Sequence, residues 1–286
     1  MNHLIADNRV STLRTYLTDK LGARYDEREA ANLTQELFNA FNGWNRTDVV
    51  FKANERMGES ELLKYHFALK RLLHGEPLQY VLEFAWFLDM KLVVNKNVLI
   101  PRPETEELVR LVVQNNSKSS PRILDIGTGS GCIALALKKL IPGAFVTAID
   151  VSEDALSIAR KNAEVLELDI DFLNLDILSS TPEGTFDIIV SNPPYIPISE
   201  KDSMAPHVIE HEPHIALFTA DHDALLFYRR LMEMSAEKLD SQGTAYCEIH
   251  EEKADAILNL SQQYSIQAPN IYPDLQGKNR MISWSI

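Results

Sequence analysis

The sequence predicts an α/β fold, a mostly parallel Rossmann-like sheet with helices on both faces, preceded by a small helical bundle. Short apolar strands alternate with helical patterns after residue 121, which is typical of a parallel sheet covered on both faces. A glycine-rich turn follows the first of these strands. Before residue 75 the apolar residues recur only at helical spacing. The 286 residues exceed one typical domain, so we expect two domains of unequal size.

The first predicted domain is a helical bundle over residues 1–77. Its apolar residues form three blocks at helical spacing, which glycines at positions 43 and 58 separate. The blocks contain Leu13, Leu17 and Leu21; then Leu33, Leu37, Phe38 and Phe41; then Leu62, Leu63, Phe67, Leu69, Leu72 and Leu73. The run Gly75-Glu-Pro77 ends the last block.

Residues 78–100 are predicted to form a β-hairpin that links the two domains. Apolar residues alternate from Tyr80 to Leu88, and two short apolar runs follow at 92–94 and 98–100. Prolines at 101 and 103 stop this pattern. Acidic residues then favour a helix that begins at Glu104, where the helix dipole stabilises them.

The second predicted domain, residues 101–286, carries the α/β pattern. Short apolar runs predict strands, and longer amphipathic runs predict the helices between them. We predict strands at 123–126, 145–149, 170–175, 186–190 and 244–249, and helices at 133–140, 155–166 and 225–239.

A glycine-rich turn, Asp-Ile-Gly-Thr-Gly-Ser-Gly, joins the first of these strands to its helix. Glycines let the backbone turn tightly and approach a ligand, with the helix N-terminus behind it. The spacing departs from the GxGxxG of dinucleotide-binding proteins, because the third glycine comes one residue early. An acidic residue just before the turn suits a ligand with an amino group. The candidate binding residues are Asp125, Gly127, Thr128, Gly129, Ser130 and Gly131.

Two further acidic residues follow strands in the same half of the sheet. Asp150 ends the second strand, about 20 residues beyond the glycine turn, where a carboxylate accepts hydrogen bonds from both hydroxyls of a ribose. Asp176 follows the third strand and is placed to meet an adenine edge, with Ile177 against the adenine face. Together these residues predict an adenosine-containing cofactor.

The sequence Asn192-Pro193-Pro194-Tyr195 directly follows a predicted strand and indicates the reaction. The prolines stiffen the backbone and donate no hydrogen bond, so the carbonyl groups face outward as acceptors. The side-chain oxygen of Asn192 and the carbonyl of Pro193 can receive both hydrogens of a planar NH₂ group, and Tyr195 can stack on its face. Holding both N–H bonds turns the poorly nucleophilic nitrogen lone pair toward an incoming group. The candidate catalytic residues are therefore Asn192, Pro193 and Tyr195, with Pro194 in the substrate site.

These motifs resemble those of class I S-adenosylmethionine-dependent methyltransferases that act on amino groups, which share (Asn/Asp/Ser)-Pro-Pro-(Tyr/Phe/Trp). The chain is more closely similar to the PrmC/HemK family, the protein-(glutamine-N5) methyltransferases of peptide chain release factors. The similarity extends from residue 75 to the C-terminus and includes three further segments. These are Leu-Ile-Pro-Arg-Pro-Glu-Thr-Glu-Glu-Leu at 99–108, Glu212-Pro213, and Asp274, Gly277 and Arg280 in the closing segment.

The resemblance implies a seven-stranded methyltransferase fold that uses S-adenosylmethionine and releases S-adenosylhomocysteine. Residues 127–131, Asp150, Asp176 and Ile177 would bind the cofactor, which Asn192 would also contact. Residues 192–195 would bind a glutamine, in a pocket that Phe87 lines in the place of a family aromatic residue. The implied substrate is the glutamine of the Gly-Gly-Gln motif in class I release factors, and the helical domain would recognise that protein.

The sequence departs from the family pattern at three positions. His211 replaces a usual Phe, His250 a common Gly, and Asp89 a frequent Gly in the hairpin. None of them lies in the glycine turn or in the Asn-Pro-Pro-Tyr motif. They therefore bear on local loop shape more than on activity.

The charge bears on two alternative functions. An N6-adenine nucleic-acid methyltransferase would grip the same kind of NH₂ group, but it must also hold a phosphate backbone. The net charge is −13, and no basic run is longer than a pair such as Lys138-Lys139 or Arg229-Arg230, so we expect no stable nucleic-acid binding. A non-catalytic protein that keeps the fold and docks on a translation partner is the other alternative. The intact motif and Asp150 weigh against it.

The remaining sequence features predict a cytoplasmic protein without a metal. No apolar run approaches the ~18–20 residues of a membrane span, and the first ten residues lack the apolar core of a signal peptide. Cys132 and Cys247 lie in apolar runs and are expected to be buried, reduced thiols. His207, His211 and His214 are closely spaced, but prolines interrupt any helix there, so no metal site is expected.

Overall fold

The protein is described by a computed structural model that covers residues 7–264 and 266–286. It divides into two compact units. One comprises the chain up to Glu83 together with Pro206–His211, and the other comprises Phe84–Ala205 and Glu212–Ile286. The domain boundary predicted at residue 77 falls earlier than this division, because residues 78–82 form a helix of the first unit.

The helices and strands alternate along the second unit, whereas helices make up the first. The α-helices are α1 (Val10–Leu21), α2 (Glu27–Asn42), α3 (Arg46–Phe51), α4 (Glu59–Leu73), α5 (Leu78–Leu82), α6 (Pro103–Asn115), α7 (Cys132–Leu140), α8 (Glu153–Leu166), α9 (Pro206–His211), α10 (His214–Leu217), α11 (Leu226–Lys238) and α12 (Ala254–Ser261). The strands are β1 (Phe84–Phe87), β2 (Met90–Val93), β3 (Arg122–Ile126), β4 (Phe145–Asp150), β5 (Asp171–Asn174), β6 (Phe186–Ser191), β7 (Ile196–Pro197), β8 (Phe218–Thr219), β9 (Leu239–Glu248), β10 (Gln267–Pro273) and β11 (Asn279–Ser285).

The helical unit forms where the sequence predicts helices. The Asp26 side chain accepts a hydrogen bond from the Glu29 N–H and so caps α2, and Gly43 ends that helix in a left-handed conformation. The apolar residues at positions 13, 17 and 21 of α1 are fully buried in a core shared with α2 and α4. Two apolar residues of α4 depart from the expected pattern. Leu63 and Phe67 are exposed, because the buried stripe of this helix runs through residues 65, 68, 69 and 72 instead.

The hairpin is shorter than the predicted segment 78–100. β1 and β2 pair in antiparallel register from Phe84 with Val93 to Phe87 with Met90. Leu88 and Asp89 form the turn, both with positive φ, as a two-residue hairpin turn requires. The prediction was wrong for residues 78–82, where the apolar alternation belongs to α5, and residues 94–100 pair with no strand.

The main sheet of the second unit has seven strands in the order β10-β11-β9-β6-β3-β4-β5. Five of them, β3, β4, β5, β6 and β9, are parallel to one another, and β11 joins antiparallel between β9 and β10. All five strands predicted from the sequence are present, within a few residues of their predicted ends. Two apolar clusters cover the two faces of this sheet.

The parallel strands place the candidate residues at one edge. The carboxyl ends of parallel strands meet at the same edge of a sheet, and the crevice outside them is where such folds bind ligands. The glycine turn follows β3, Asp150 ends β4, Asp176 follows β5 and Asn192 follows β6. Within the described residues, no helix combines the length and the apolar character that crossing a membrane requires.

Candidate active site

A cavity of about 290 Å³ opens at this edge of the sheet. It lies entirely within the second unit. The predicted residues that line it are Gly127, Thr128, Gly129, Ser130, Asp150, Asp176, Ile177, Asn192, Pro193 and Pro194. The structure thus brings most of the glycine turn, both acidic positions and the Asn-Pro-Pro run to one space.

The glycine turn wraps the N-terminal end of α7. Gly127, Gly129 and Gly131 all have positive φ. A Cβ on Gly129 would meet no atom within 4 Å, whereas a Cβ on Gly131 would lie 3.2 Å from the Ala159 Cβ of α8. Gly129 therefore keeps the surface of the turn open toward the cavity, and Gly131 permits close packing of two helices.

Asp125 lies beneath the turn and is completely buried, without lining the cavity. Its Oδ2 accepts hydrogen bonds from the Thr128 hydroxyl at 2.6 Å and from the Ala134 N–H at 3.1 Å. Its Oδ1 is buried without a hydrogen-bond partner, as is the hydroxyl of Ser130. Burial raises the pKa of the Asp125 carboxyl to about 7. Such unpartnered acceptors are costly unless a donor reaches them.

Asp150 joins the glycine turn to the start of α8. One carboxylate oxygen accepts from the Gly129 N–H and the other from the Ser152 N–H, each at 2.9 Å. Burial raises the pKa of this carboxyl, although the same N–H groups favour its charged form. Each oxygen retains a free lone pair, so the carboxylate can accept further hydrogen bonds from a diol in the cavity.

The pair at 176–177 lies on the neighbouring wall. The Asp176 carboxylate accepts from the Leu178 N–H at 2.9 Å and so forms a tight turn after β5. Ile177 is buried and packs with the cluster beneath the sheet. Arg230 of α11 donates to the Ile177 carbonyl at 2.5 Å, which fixes the backbone of this wall.

The Asn-Pro-Pro-Tyr run leaves β6 with only trans peptide bonds. Asn192 donates through Nδ2 to the Thr105 hydroxyl at 3.1 Å, and that hydroxyl donates to Glu248 at 2.8 Å. The Tyr195 hydroxyl donates to the other oxygen of Glu248 at 3.0 Å. Tyr195 does not line the cavity, because this bond holds its ring toward the end of β9.

Three residues of this site are missing from the sequence prediction. Thr105 and Arg102 line the cavity, and Glu248 is fully buried beside Thr105. Arg102 is paired at 2.6 Å with Glu212, which is itself buried and also accepts from the Ile100 N–H. Sequence signals were available for all three: Arg102 and Thr105 lie in the 99–108 segment that carries the family resemblance, and a carboxylate at the end of an apolar strand, as at Glu248, repeats the pattern of Asp150.

Phe87 is not part of this cavity. Its side chain is 1% exposed and packs in the core on one face of the sheet. The β1 strand turns this side chain inward, and the substrate-binding position that the resemblance implies for it stays a prediction.

The described cysteines and histidines lie in or near elements already introduced. Burial raises the pKa of the Cys132 thiol, which lines the cavity, to about 12, and it also raises that of the buried Cys247. His250 lies beside the active loop, with its Nε2 3.2 Å from Glu200. Across residues 7–264 and 266–286, no group of three or more potential ligands is placed to hold a metal.

Comparison with known proteins gives two family matches. Residues 104–215 match the Methyltransferase small domain, and residues 12–82 match the PrmC N-terminal domain. The chain is 40% identical over 278 residues to the release factor glutamine methyltransferase of Flavobacterium psychrophilum, covering 96% of this chain and 98% of that protein. It is 41% identical over 230 residues to the protein of the same name from Lactococcus lactis, covering 80% and 84%.

Solved structures resemble the fold. A methyltransferase from Pyrococcus furiosus superposes with a TM-score of 0.51 at 19% identity, covering 76% of this chain and 98% of that one. At this identity the likeness concerns the fold alone.

Proposed function

The chain belongs to the release factor glutamine methyltransferase family, with the class I methyltransferase fold, and from this membership we propose its reaction. It transfers the methyl group of S-adenosylmethionine to the side-chain amide nitrogen, N5, of a glutamine in a class I peptide chain release factor. The glutamine is that of the Gly-Gly-Gln motif, so the modification modulates translation termination. The nitrogen gains a methyl group and gives up one proton, and S-adenosylhomocysteine leaves.

One observation carries this proposal. The Asn-Pro-Pro run that suits a planar NH₂ group lines the same cavity as the glycine turn and Asp150, which suit an adenosine. A methyl transfer requires its two reactants side by side in a fixed orientation, and such positioning alone contributes on the order of 7–11 kcal/mol. A single cavity with both sets of groups meets this requirement.

The residues present fit S-adenosylmethionine. Gly129 leaves room for the close approach of a ligand, and Asp150 retains acceptors for the two ribose hydroxyls. The hydroxyl of Ser130, which lines the cavity, is buried without a partner, in keeping with a ligand that brings a polar group to this end of the turn. When bound, this cofactor supplies a methyl group made electrophilic by a positively charged sulfur.

Asn192 and Pro193 are assigned to the substrate amide. The Asn192 side-chain oxygen and the Pro193 carbonyl accept hydrogen bonds from the two N–H groups of the substrate amide. This turns the nitrogen lone pair toward the methyl group. Acceptors fixed in this way also support the positive charge that develops on the nitrogen. Tyr195 anchors the loop after β6, because its hydroxyl donates a hydrogen bond to Glu248 at the end of β9.

We assign recognition of the release factor to the helical unit. Three of its apolar side chains, Val50, Phe51 and Phe67, are largely exposed. Exposed apolar side chains contribute to protein-binding surfaces where they lie next to one another, as Val50 and Phe51 do in sequence. Because release factors act where translation terminates, the proposed activity is cytoplasmic.

The alternative acceptor, an adenine of a nucleic acid, is less well supported. The net charge of −13 opposes binding to a phosphate backbone, and the named relatives act on release factors. We expect no stable nucleic-acid binding.

The proposal is tested by incubating the protein with S-adenosylmethionine labelled in the methyl group and a purified class I release factor. We expect label in the factor, at the glutamine of Gly-Gly-Gln, as located by mass spectrometry of its peptides. A factor with that glutamine changed to Ala serves as the control and should take up none. Label that persists in the control would refute the stated acceptor.

A further inference from the structure

Asn192 is held by a chain of hydrogen bonds that reaches the end of β9. Its Nδ2 donates to the Thr105 hydroxyl at 3.1 Å, the Thr105 hydroxyl donates to Glu248 Oε2 at 2.8 Å, and the Tyr195 hydroxyl donates to Glu248 Oε1 at 3.0 Å. Thr105 and Glu248 are each 2% exposed, so water does not compete for these bonds. Three separate elements, α6, the loop after β6, and β9, are joined here.

The direction of these bonds follows from Glu248. Burial raises the pKa of the Glu248 carboxyl, whereas the Thr105 and Tyr195 hydroxyls and the positive charge of Arg280 act in the opposite direction and favour its charged form. Both hydroxyls donate to it, each to its own oxygen, as a carboxylate that only accepts hydrogen bonds requires. The Thr105 oxygen then has no proton left for Asn192 and offers only a lone pair.

Asn192 therefore has to present its NH₂ group to Thr105. The NH₂ group and the oxygen of a side-chain amide have nearly the same shape, but one donates and the other accepts. The hydrogen-bond partner therefore decides which of the two faces it. With Nδ2 bound to Thr105, Oδ1 is the branch left free at the cavity that Asn192 lines. An acceptor at this place binds the N–H of a glutamine amide and repels the oxygen of a glutamate carboxylate.

We infer that Thr105 and Glu248 are positioning residues that fix the orientation of the Asn192 amide and so select an amide over a carboxylate as methyl acceptor. The inference rests on the proposed function, since it concerns the same acceptor site. Both act through Asn192, to which they are joined by the hydrogen bonds described above.

The test compares Thr105→Val, which keeps the shape but lacks the hydroxyl, with Thr105→Ser, which keeps the hydroxyl. Thr34→Val is the matched control, because Thr34 is equally buried but lies in the helical unit. We expect Thr105→Val to lower kcat on the order of 10- to 100-fold, as loss of a buried hydrogen bond predicts. We expect Thr105→Ser to retain most of the activity, and Thr34→Val to behave as wild type. The affinity of all three variants for S-adenosylmethionine, measured by calorimetry, should stay unchanged. An unchanged affinity shows that each variant is folded.

A second measurement separates positioning from a merely structural role. The affinity of each variant is compared for two release factors, one with the acceptor Gln and one with Glu in its place. A free Asn192 amide can turn its NH₂ toward the carboxylate, so in Thr105→Val the preference for Gln should fall about tenfold. General damage to the site would weaken both affinities equally and leave this preference intact.

Glu248 is tested by Glu248→Gln, which keeps its volume but turns one acceptor oxygen into a donor. We expect a loss of kcat similar to that of Thr105→Val. Wild-type kcat in Glu248→Gln or in Thr105→Val, equal losses in Thr105→Val and Thr105→Ser, or an unchanged preference for Gln would each overturn the inference. If the wild-type protein itself transfers no methyl group to the factor, the proposed function fails, and this inference fails with it.

Discussion

Asn192 is the residue on which the proposed chemistry depends most, because it offers its oxygen to the acceptor nitrogen. We predict that Asn192→Ala lowers kcat by about 10²–10³-fold, the usual effect of removing one group that stabilises developing charge. Affinity for S-adenosylmethionine should change by less than about threefold, since the glycine turn and Asp150 remain. Single-turnover kinetics and calorimetry measure the two quantities. A collapse of cofactor affinity would contradict this division of roles.

The buried carboxyl of Asp125 gives a second prediction, on how the free energy of unfolding depends on pH. Burial raises its pKa from the ordinary 3.8 to about 7 in the folded protein. Between these values the folded state keeps a proton that the unfolded state has released. The stabilisation that this bound proton provides is fully present below the pKa of Asp125 in the unfolded chain. It is lost as the pH rises to about 7, the pKa in the folded protein. The free energy of unfolding of the wild type, relative to Asp125→Asn, should fall on the order of 2 kcal/mol from pH 5 to pH 7 and then level off.

Denaturant unfolding without cofactor at pH 5 to 8 measures this difference. Asp187→Asn is the control. Burial acts against ionisation of Asp187, but the Arg122 N–H and Lys118 outweigh it and lower the pKa of that carboxyl. Its titration lies below this pH range, so its difference from wild type should stay constant. A flat difference for Asp125→Asn would show that its carboxyl is already ionised at pH 5.

Among single residues, those that adjoin a motif could be predicted from the sequence, and those that act across the fold could not. Asp150 and Asn192 follow apolar strands, so the carboxyl edge of a parallel sheet brings them together. Thr105 and Glu248 are 143 residues apart, and no local pattern relates them. Their pairing depends on how α6 packs beside β9, which only the folded structure gives.

At the scale of elements, two glycines of the turn before helix α7 have different roles. Gly131 permits close packing of α7 against α8, and Gly129 keeps the cavity surface open. Gly131→Ala would place a Cβ 3.2 Å from Ala159 and 3.1 Å from Leu135 at a φ of 82°, so we predict a loss of about 2–3 kcal/mol in unfolding free energy. Gly129→Ala meets no atom, so its stability loss should be about 1 kcal/mol. Its methyl group lies at the cavity, and cofactor affinity should fall about tenfold or more.

Thermal unfolding and calorimetric titration of both variants check this ranking. Gly131→Ala should lose more unfolding free energy than Gly129→Ala. Gly129→Ala should lose more cofactor affinity than Gly131→Ala. The reverse ranking would mean that Gly131 rather than Gly129 faces the cofactor.

Elements with a strong local pattern were predicted well. The five parallel strands are confirmed, because buried parallel strands are short continuous apolar runs, and the seven-stranded fold that the family resemblance implies is confirmed as well. Strands β10 and β11 were not located, since much of β10 is exposed and its apolar residues are sparse. The helix α5 was mistaken for a strand, because five residues are too few to distinguish helical from alternating spacing.

For the whole molecule, the assignment of substrate recognition to the helical unit gives a further prediction. Phe51 is 85% exposed, and burying a phenylalanine in an interface contributes about 1.5–3 kcal/mol. Phe51→Ser should therefore raise KM for the release factor by about tenfold, with kcat and cofactor affinity unchanged. Phe145→Ser is the matched control, because Phe145 is 69% exposed at the start of β4, away from the carboxyl edge. Equal KM values for the two variants would contradict the assignment.

The strand order has a consequence for how such enzymes diverge. The groups proposed for the cofactor follow β3, β4 and β5, whereas those proposed for the acceptor follow β6 and are positioned by the end of β9, on the other side of β3. The two sets are carried by different strands. Mutations can therefore accumulate on the acceptor half while adenosine binding is inherited unchanged. An ancestral enzyme of this architecture could exchange one NH₂ substrate for another without passing through a form that had lost its methyl donor.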